Sequence, residues 1–346
     1  MRTKKGPQMR ALSLDAPGKI RMISLSDPSV PGPAEALIRI RQVGICGTDY
    51  HAFHGNQPFF TYPRILGHEL AVEVVAVGAG VSHLVKGDHC AVRPYLSCGS
   101  CPACLRGKPN CCLYVQVFGV HVDGGLREFA VLPAAFLHPA TTLSFEQLAL
   151  IEPLAIGAHA VAGAQLSKGE RVLVVGVGPI GLAVTQFALL MGAQVIVTDI
   201  SQQRLAFCQK LWPTVTCIDG HEPVVEALKH LLGDDFPTAI FDATGNPQSM
   251  QATFTYVGYG GRVIFVGLSL GNITFSDPLF HSREVTLLAS RNALAADFDR
   301  IIAALQADEF DLAPWITQRA TLETAVDAFP QWSGANSVMI KGLISI

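Results

Sequence analysis

Cys98, Cys101, Cys104 and Cys112 set four thiols at spacings of 3, 3 and 8 within 15 residues. Four clustered thiolates are natural ligands of a tetrahedral zinc ion, and a complete set leaves no open position, so the expected role is structural. Cys111 is a surplus neighbour with no assigned part. Met1 to Gln8 is basic and polar with no apolar stretch, unlike a secretory signal. A cytoplasmic location is therefore expected for the nine cysteines, and there metal binding is favoured over disulfides.

A second chemical signature is Gly176-Val177-Gly178-Pro179-Ile180-Gly181, which follows the apolar run Val172–Val175. It opens a helical run with Ile180, Val184, Phe187 and Met191 on one face. Asp199 ends the next apolar run, 21 residues beyond Gly178. This strand–turn–helix–strand order predicts a dinucleotide site. Its first glycine permits the turn, the second lets backbone amides approach a pyrophosphate, and the third lets helix and strand pack closely. The diphosphate would rest on the positive end of the helix. Asp199 would accept hydrogen bonds from the adenosine ribose and repel a 2′-phosphate, which favours NAD over NADP. A third set is dispersed: Cys46 in Gly44-Ile45-Cys46-Gly47-Thr48-Asp49, His68-Glu69 after Gly67, and Glu152 before Pro153. Spacing alone does not bring these residues together.

The elements that must position them fall into two patterns. From Met9 to about Phe136, short alternating or apolar runs separated by Gly and Pro predict a β-rich, barrel-like domain. From about Ser167, strands at 171–175, 194–198, 216–218, 239–242, 262–266 and 285–289 alternate with helices at 180–191, 202–211, 224–232 and 247–257. That alternation predicts a doubly wound parallel sheet, the Rossmann arrangement. The last stretch, with helices near 298–305 and 322–328 and a strand at 338–344, is expected to rejoin the first domain. The expected boundaries are an unstructured extension at 1–8, a first domain at 9–157 and 293–346, and a nucleotide domain at 158–292.

Composition agrees with an α/β globular protein. Of 346 residues 49% are hydrophobic and 15% charged, the reverse of a disordered chain. A net charge of −3 provides no basic excess for nucleic acid and no basic cluster for a lipid surface. Residues 172–198 carry no charged side chain, yet Gly176, Gly178, Pro179 and Gly181 mark a strand, turn and buried helix rather than a membrane span.

With these motifs the chain resembles the zinc-dependent medium-chain alcohol dehydrogenase family from Met9 to Ile346. The resemblance implies a GroES-like catalytic domain beside the Rossmann domain and two zinc ions per chain. It implies that Cys46, His68 and Glu152 hold a catalytic zinc, with Glu69 as a fourth ligand or a neighbour of the substrate position. It implies Thr48 as acceptor of the alcohol proton, His51 as its outlet and Asp49 as the carboxylate that orients His68. Arg204 would lie along the adenosine, and Val266, Gly267 and Leu268 would meet the nicotinamide amide. Glutamate at 152, where simple-alcohol members carry cysteine, resembles the polyol, threonine and sugar-acid branches. So do Tyr62-Pro63-Arg64-Ile65-Leu66 and Ser290-Arg291-Asn292 resemble segments of sugar-acid members.

The expected activity is hydride transfer between NAD and a small-molecule secondary alcohol, a polyol or sugar acid, with Arg291 gripping a substrate carboxylate. The alternatives are a non-catalytic NAD(H)-binding relative, or a dehydrogenase of a hydroxy-amino acid or simple secondary alcohol. A homodimer or homotetramer is expected by the same resemblance.

Overall fold

Strands that are apolar on both faces need cover on both sides, and the nucleotide half provides it with helices. In the computed structural model, which describes residues 8–334 and 339–346, the chain folds as two compact units. Among the described residues, one comprises those up to Glu152 with those from Leu294 onward, the other Pro153–Ala293.

The second unit is built on six parallel strands. Their spatial order is Thr216–Asp219, Gln194–Asp199, Arg171–Val175, Ala239–Asp242, Arg262–Phe265 and Thr286–Ala289. The order reverses between Arg171–Val175 and Ala239–Asp242, and at such a switch point the loops leave the strand ends in opposite directions and open a crevice. The intervening helices run Pro179–Leu190, Gln202–Leu211, Val224–Leu232, Pro247–Tyr256 and the short Asp277–Ser282. Local chemistry explains their starts. Gly178 is the extended N-cap of the first, with Pro179 at its first position, and the Ser201 and Asn246 side chains accept from backbone N–H groups of the second and fourth. Leu173, Ile240, Val263, Leu228 and Phe254 are among the side chains of this unit's core.

The first unit is mostly antiparallel. Strand Glu35–Ile45 pairs with Glu69–Val77, Phe129–Pro133 and the C-terminal Lys341–Ser345. Its early side chains alternate, with Ala36, Ile38 and Ile40 inward. Strand Ile316–Thr321 extends the sheet parallel to Lys341–Ser345, and Leu322, Ala325, Phe329 and Trp332 share a core with Leu12, Ile38 and Leu70. The expected α/β architecture, a β-rich domain plus a doubly wound sheet, is the observed one.

Some details differ. Residues 1–7 of the expected extension and Val338 of the expected last strand lie outside the described residues; Gln8 begins strand Gln8–Ala16. The helix expected near 322–328 forms later, at Ala325–Trp332, because its apolar face Ala325, Phe329 and Trp332 is the one the core receives. Strand Ile316–Thr321 was not anticipated. Its burial pattern is almost wholly exposed, so no alternation marks it.

Candidate metal centres and dinucleotide site

In the first unit, strand pairing and one short helix converge on a donor set of which only Cys46 is not fully buried. Cys46 caps helix Gly47–Phe53, and His68 and Glu69 stand at the start of strand Glu69–Val77, where Gly44 pairs with Glu69. One donor atom each from Cys46, His68 and Glu69 lie within 4.8 Å of one another. Gly44 and Gly67 make this possible. A Cβ on Gly44 would lie 2.1 Å from Glu69 Oε2, and Gly67 adopts φ +96° with Val43, Gly125 and Leu126 packed around it.

Asp49 ties the two arms together. Its Oδ2 accepts from the Cys46 N–H at 2.9 Å, and its Oδ1 faces His68 Nδ1 at 3.7 Å. Neither Oδ1 nor Nδ1 has a hydrogen-bond partner, although both are buried. With Nδ1 turned to a carboxylate, Nε2 is the ring nitrogen left for a metal, the usual histidine arrangement. Burial works against charge on His68, but Asp49, then Cys46 and Glu152, outweigh it and hold its pKa well above the ordinary value. Such an anionic pocket favours a cation.

Glu152 is 5% exposed but stands outside this triad. The Tyr95 hydroxyl donates to its Oε1, and burial pushes its carboxyl up to about 7. Two neighbouring carboxylates repel, and here each has its own partner: Tyr95 for Glu152, Lys341 for Glu69. Thr48 is half-buried and His51 exposed on the helix that Cys46 caps.

The cysteine lobe brings together Cys98, Cys101, Cys104 and Cys112 and leaves Cys111 exposed. Sulfur separations are 3.5 Å for Cys101–Cys104, 3.8 Å for Cys101–Cys112 and 3.5 Å for Cys98–Cys112. A tetrahedron with zinc–sulfur bonds of ~2.3 Å has edges of about 3.8 Å, so the cage fits that ion. Backbone N–H groups point at the sulfurs, Cys101 to Cys98 and both Cys98 and Tyr114 to Cys112, each at 3.3 Å. N–H bonds from Ser100 and Cys101 pull Cys98 down to about 6, toward the thiolate a metal needs.

The second unit holds the glycine turn at its switch point. Gly176 takes φ +86° and donates to the Thr198 carbonyl, and a Cβ on Gly181 would lie 1.7 Å from the Gly176 carbonyl oxygen. Around Gly178 a Cβ would meet only the Arg204 guanidinium, at 3.7 Å, which leaves the backbone open to a ligand. Asp199 accepts from the Val177 N–H and the Ser201 N–H, each at 2.8 Å, and lies 4.0 Å from Arg204. The N–H groups of Val266 and Gly267 donate to the Asp242 carbonyl, and Leu268 is 69% exposed beside them. Arg291 follows strand Thr286–Ala289.

Residues 32–142 match the family model of the alcohol dehydrogenase GroES-like domain, and residues 179–307 match that of the zinc-binding dehydrogenases. The chain belongs to the zinc-binding alcohol dehydrogenase family. It is 42% identical to L-galactonate-5-dehydrogenase of Escherichia coli K12 over 91% of this chain and 93% of that protein. It is 32% identical to sorbitol dehydrogenase of Bacillus subtilis 168 over 92% of each. An alcohol dehydrogenase from Escherichia coli CFT073, solved with NADH, superposes with a TM-score of 0.91 at 28% identity, covering 99% of this chain and 100% of that one.

This dehydrogenase also carries site residues that its sequence did not reveal. Lys341 is 1% exposed and its ammonium is held by both oxygens of Glu69, at 2.6 and 2.8 Å. Its one signal is a lone cation in an apolar C-terminal run. Tyr95, the partner of Glu152, has none, because the two meet across 57 residues.

Proposed function

We propose that this enzyme oxidises a secondary hydroxyl of a polyol or sugar acid with NAD, or runs the reverse reaction. The observation that carries this reading is the donor set of half-buried Cys46 with buried His68 and Glu69, beside which the buried Glu152 lies close enough to act on His68. Cys46, His68 and Glu152 would hold the catalytic zinc, with Glu69 as a fourth ligand or a neighbour of the substrate position, and Cys98, Cys101, Cys104 and Cys112 would hold the structural one. When bound, the catalytic ion supplies Lewis acidity that eases loss of the alcohol proton. Thr48 would accept that proton and pass it toward the exposed His51 imidazole. Asp49 keeps His68 in the tautomer that leaves Nε2 for the metal.

The Gly176–Gly181 turn and the start of helix Pro179–Leu190 cradle the dinucleotide diphosphate, with Arg204 beside the adenosine and 266–268 at the nicotinamide end. Asp199 sets NAD over NADP, since both oxygens keep a lone pair for a ribose hydroxyl and none tolerates a phosphate. Arg291, beyond the carboxyl end of the last strand, grips a substrate carboxylate. Strand Thr286–Ala289 ends the sheet with Leu287 39% exposed, an open edge on which a second copy would pair in a homo-oligomer. Among the described residues no helix is long and apolar enough to cross a membrane, and nine free cysteines suit the reducing cytoplasm.

The test is NAD reduction measured across polyols, aldonates, hydroxy-amino acids and simple alcohols. Aldonates or polyols should give the highest kcat/KM. A simple alcohol or a hydroxy-amino acid as the best substrate would overturn the substrate assignment.

A further inference from the structure

Glu69 is fully buried and so is its cation. Lys341 donates to Glu69 Oε1 at 2.6 Å, to Oε2 at 2.8 Å and to the Ile45 carbonyl at 3.2 Å, so each ammonium proton has an acceptor. The lysine reaches this place by strand pairing: Gly342 is opposite Ile45, and Gly44 is opposite Glu69. Ile45 immediately precedes Cys46. A pair this deep is a poor stability device, because removing two charges from water offsets most of their attraction. Its position suggests another purpose.

Charge counting supplies one. A divalent ion held by the Cys46 thiolate, the Glu152 carboxylate and neutral His68 sums to zero. Glu69 adds one negative charge with a donor atom within 4.8 Å of those of Cys46 and His68, close enough to compete as a ligand. We infer that Lys341 is a positioning residue that holds Glu69 off the metal and so keeps a coordination position open for the substrate alcohol. This rests on the zinc reading above. Without the ammonium, the Glu69 carboxylate is an uncompensated buried charge whose nearest cation is the metal, and the open position closes.

Lys341→Met, Lys341→Arg and the double variant Lys341→Met/Glu69→Gln test this. Zinc release to a chelator is followed alongside kcat and KM, and total zinc is measured in the wild type. Lys341→Met should slow the faster phase of release roughly tenfold or more, the scale on which neighbouring groups tune metal sites, and lower kcat/KM at least as much. Lys341→Arg should release zinc at the wild-type rate. In the double variant no carboxylate remains to bind, so release should return to within about threefold of wild type and part of the turnover should recover. Release from Lys341→Met as fast as wild type or faster, or a double variant no different from it, overturns the inference. Should Lys341→Met fail to fold, Lys341→Gln takes its place: release roughly tenfold slower than wild type supports the latch, and release as fast as wild type or faster overturns it. Fewer than about two zinc ions in the wild type would instead refute the metal reading itself.

Discussion

Replacing Cys101 by serine tests whether metal or packing holds the cysteine lobe. The lobe has a very small apolar core: Cys101, Ala103 and Cys112, with Cys104 and Val115 at its margin. At about 0.8 kcal/mol per buried carbon, these side chains contribute roughly 3 kcal/mol. Ordering the 15 residues from Cys98 to Cys112 costs about 1 kcal/mol each, or roughly 15 kcal/mol. Four thiolates around a structural zinc contribute about 10–16 kcal/mol, which is the missing amount. Cys101 sits centrally, 3.5 Å from Cys104 and 3.8 Å from Cys112, so its loss opens the cage rather than trimming an edge. Cys101→Ser should lose one zinc per chain and expose the lobe to limited proteolysis between Cys98 and Cys112. The parallel-sheet unit, with its own core, should keep its protection against hydrogen exchange. A variant with full zinc content and an uncut lobe would show that packing suffices and refute the reasoning.

Asp199→Ala should raise KM for NAD by roughly 10- to 150-fold, the loss of one charge-assisted hydrogen bond to the ribose, and narrow the preference over NADP. Equal kcat/KM for both cofactors in the wild type would contradict the role given to Asp199. Arg291→Ala should cost roughly 10- to 150-fold in kcat/KM on an aldonate and much less on the matching alditol; an equal loss on both removes Arg291 as the carboxylate contact. Glu170 accepts from Arg262, Thr238 and the Ser167 N–H, and these bonds outweigh burial to hold its pKa below the ordinary carboxylate value. Its folded pKa lies below its unfolded one, so its contribution is present above the usual carboxylate range and is lost as pH falls through the depressed value. The Tm gap between wild type and Glu170→Gln should therefore shrink on acidification, and a gap unchanged from neutral to acidic pH would exclude this linkage.

The cysteine lobe and the glycine turn were legible because their chemistry is local. Cys98 to Cys112 and Gly176 to Asp199 bring their partners together within one loop or one strand–turn–helix–strand unit, so spacing translates directly into distance. The parallel strands were legible for a related reason, since runs such as Arg171–Val175, apolar on both faces, have few other places to go. The dispersed candidate set needed family resemblance to be seen at all, and only folding brings Cys46, His68 and Glu69 within 4.8 Å of one another. Sequence could name Glu69 and Glu152 as acidic candidates but not their surroundings. Those depend on Tyr95, 57 residues from Glu152, and on Lys341, 272 residues from Glu69. Burial makes such contacts count, because a charge removed from water answers to its few nearest neighbours. Which neighbours those are is decided by strand register, with Gly342 opposite Ile45 and Gly44 opposite Glu69. No local pattern in the chain records that register, since it emerges only when segments far apart in sequence share one core.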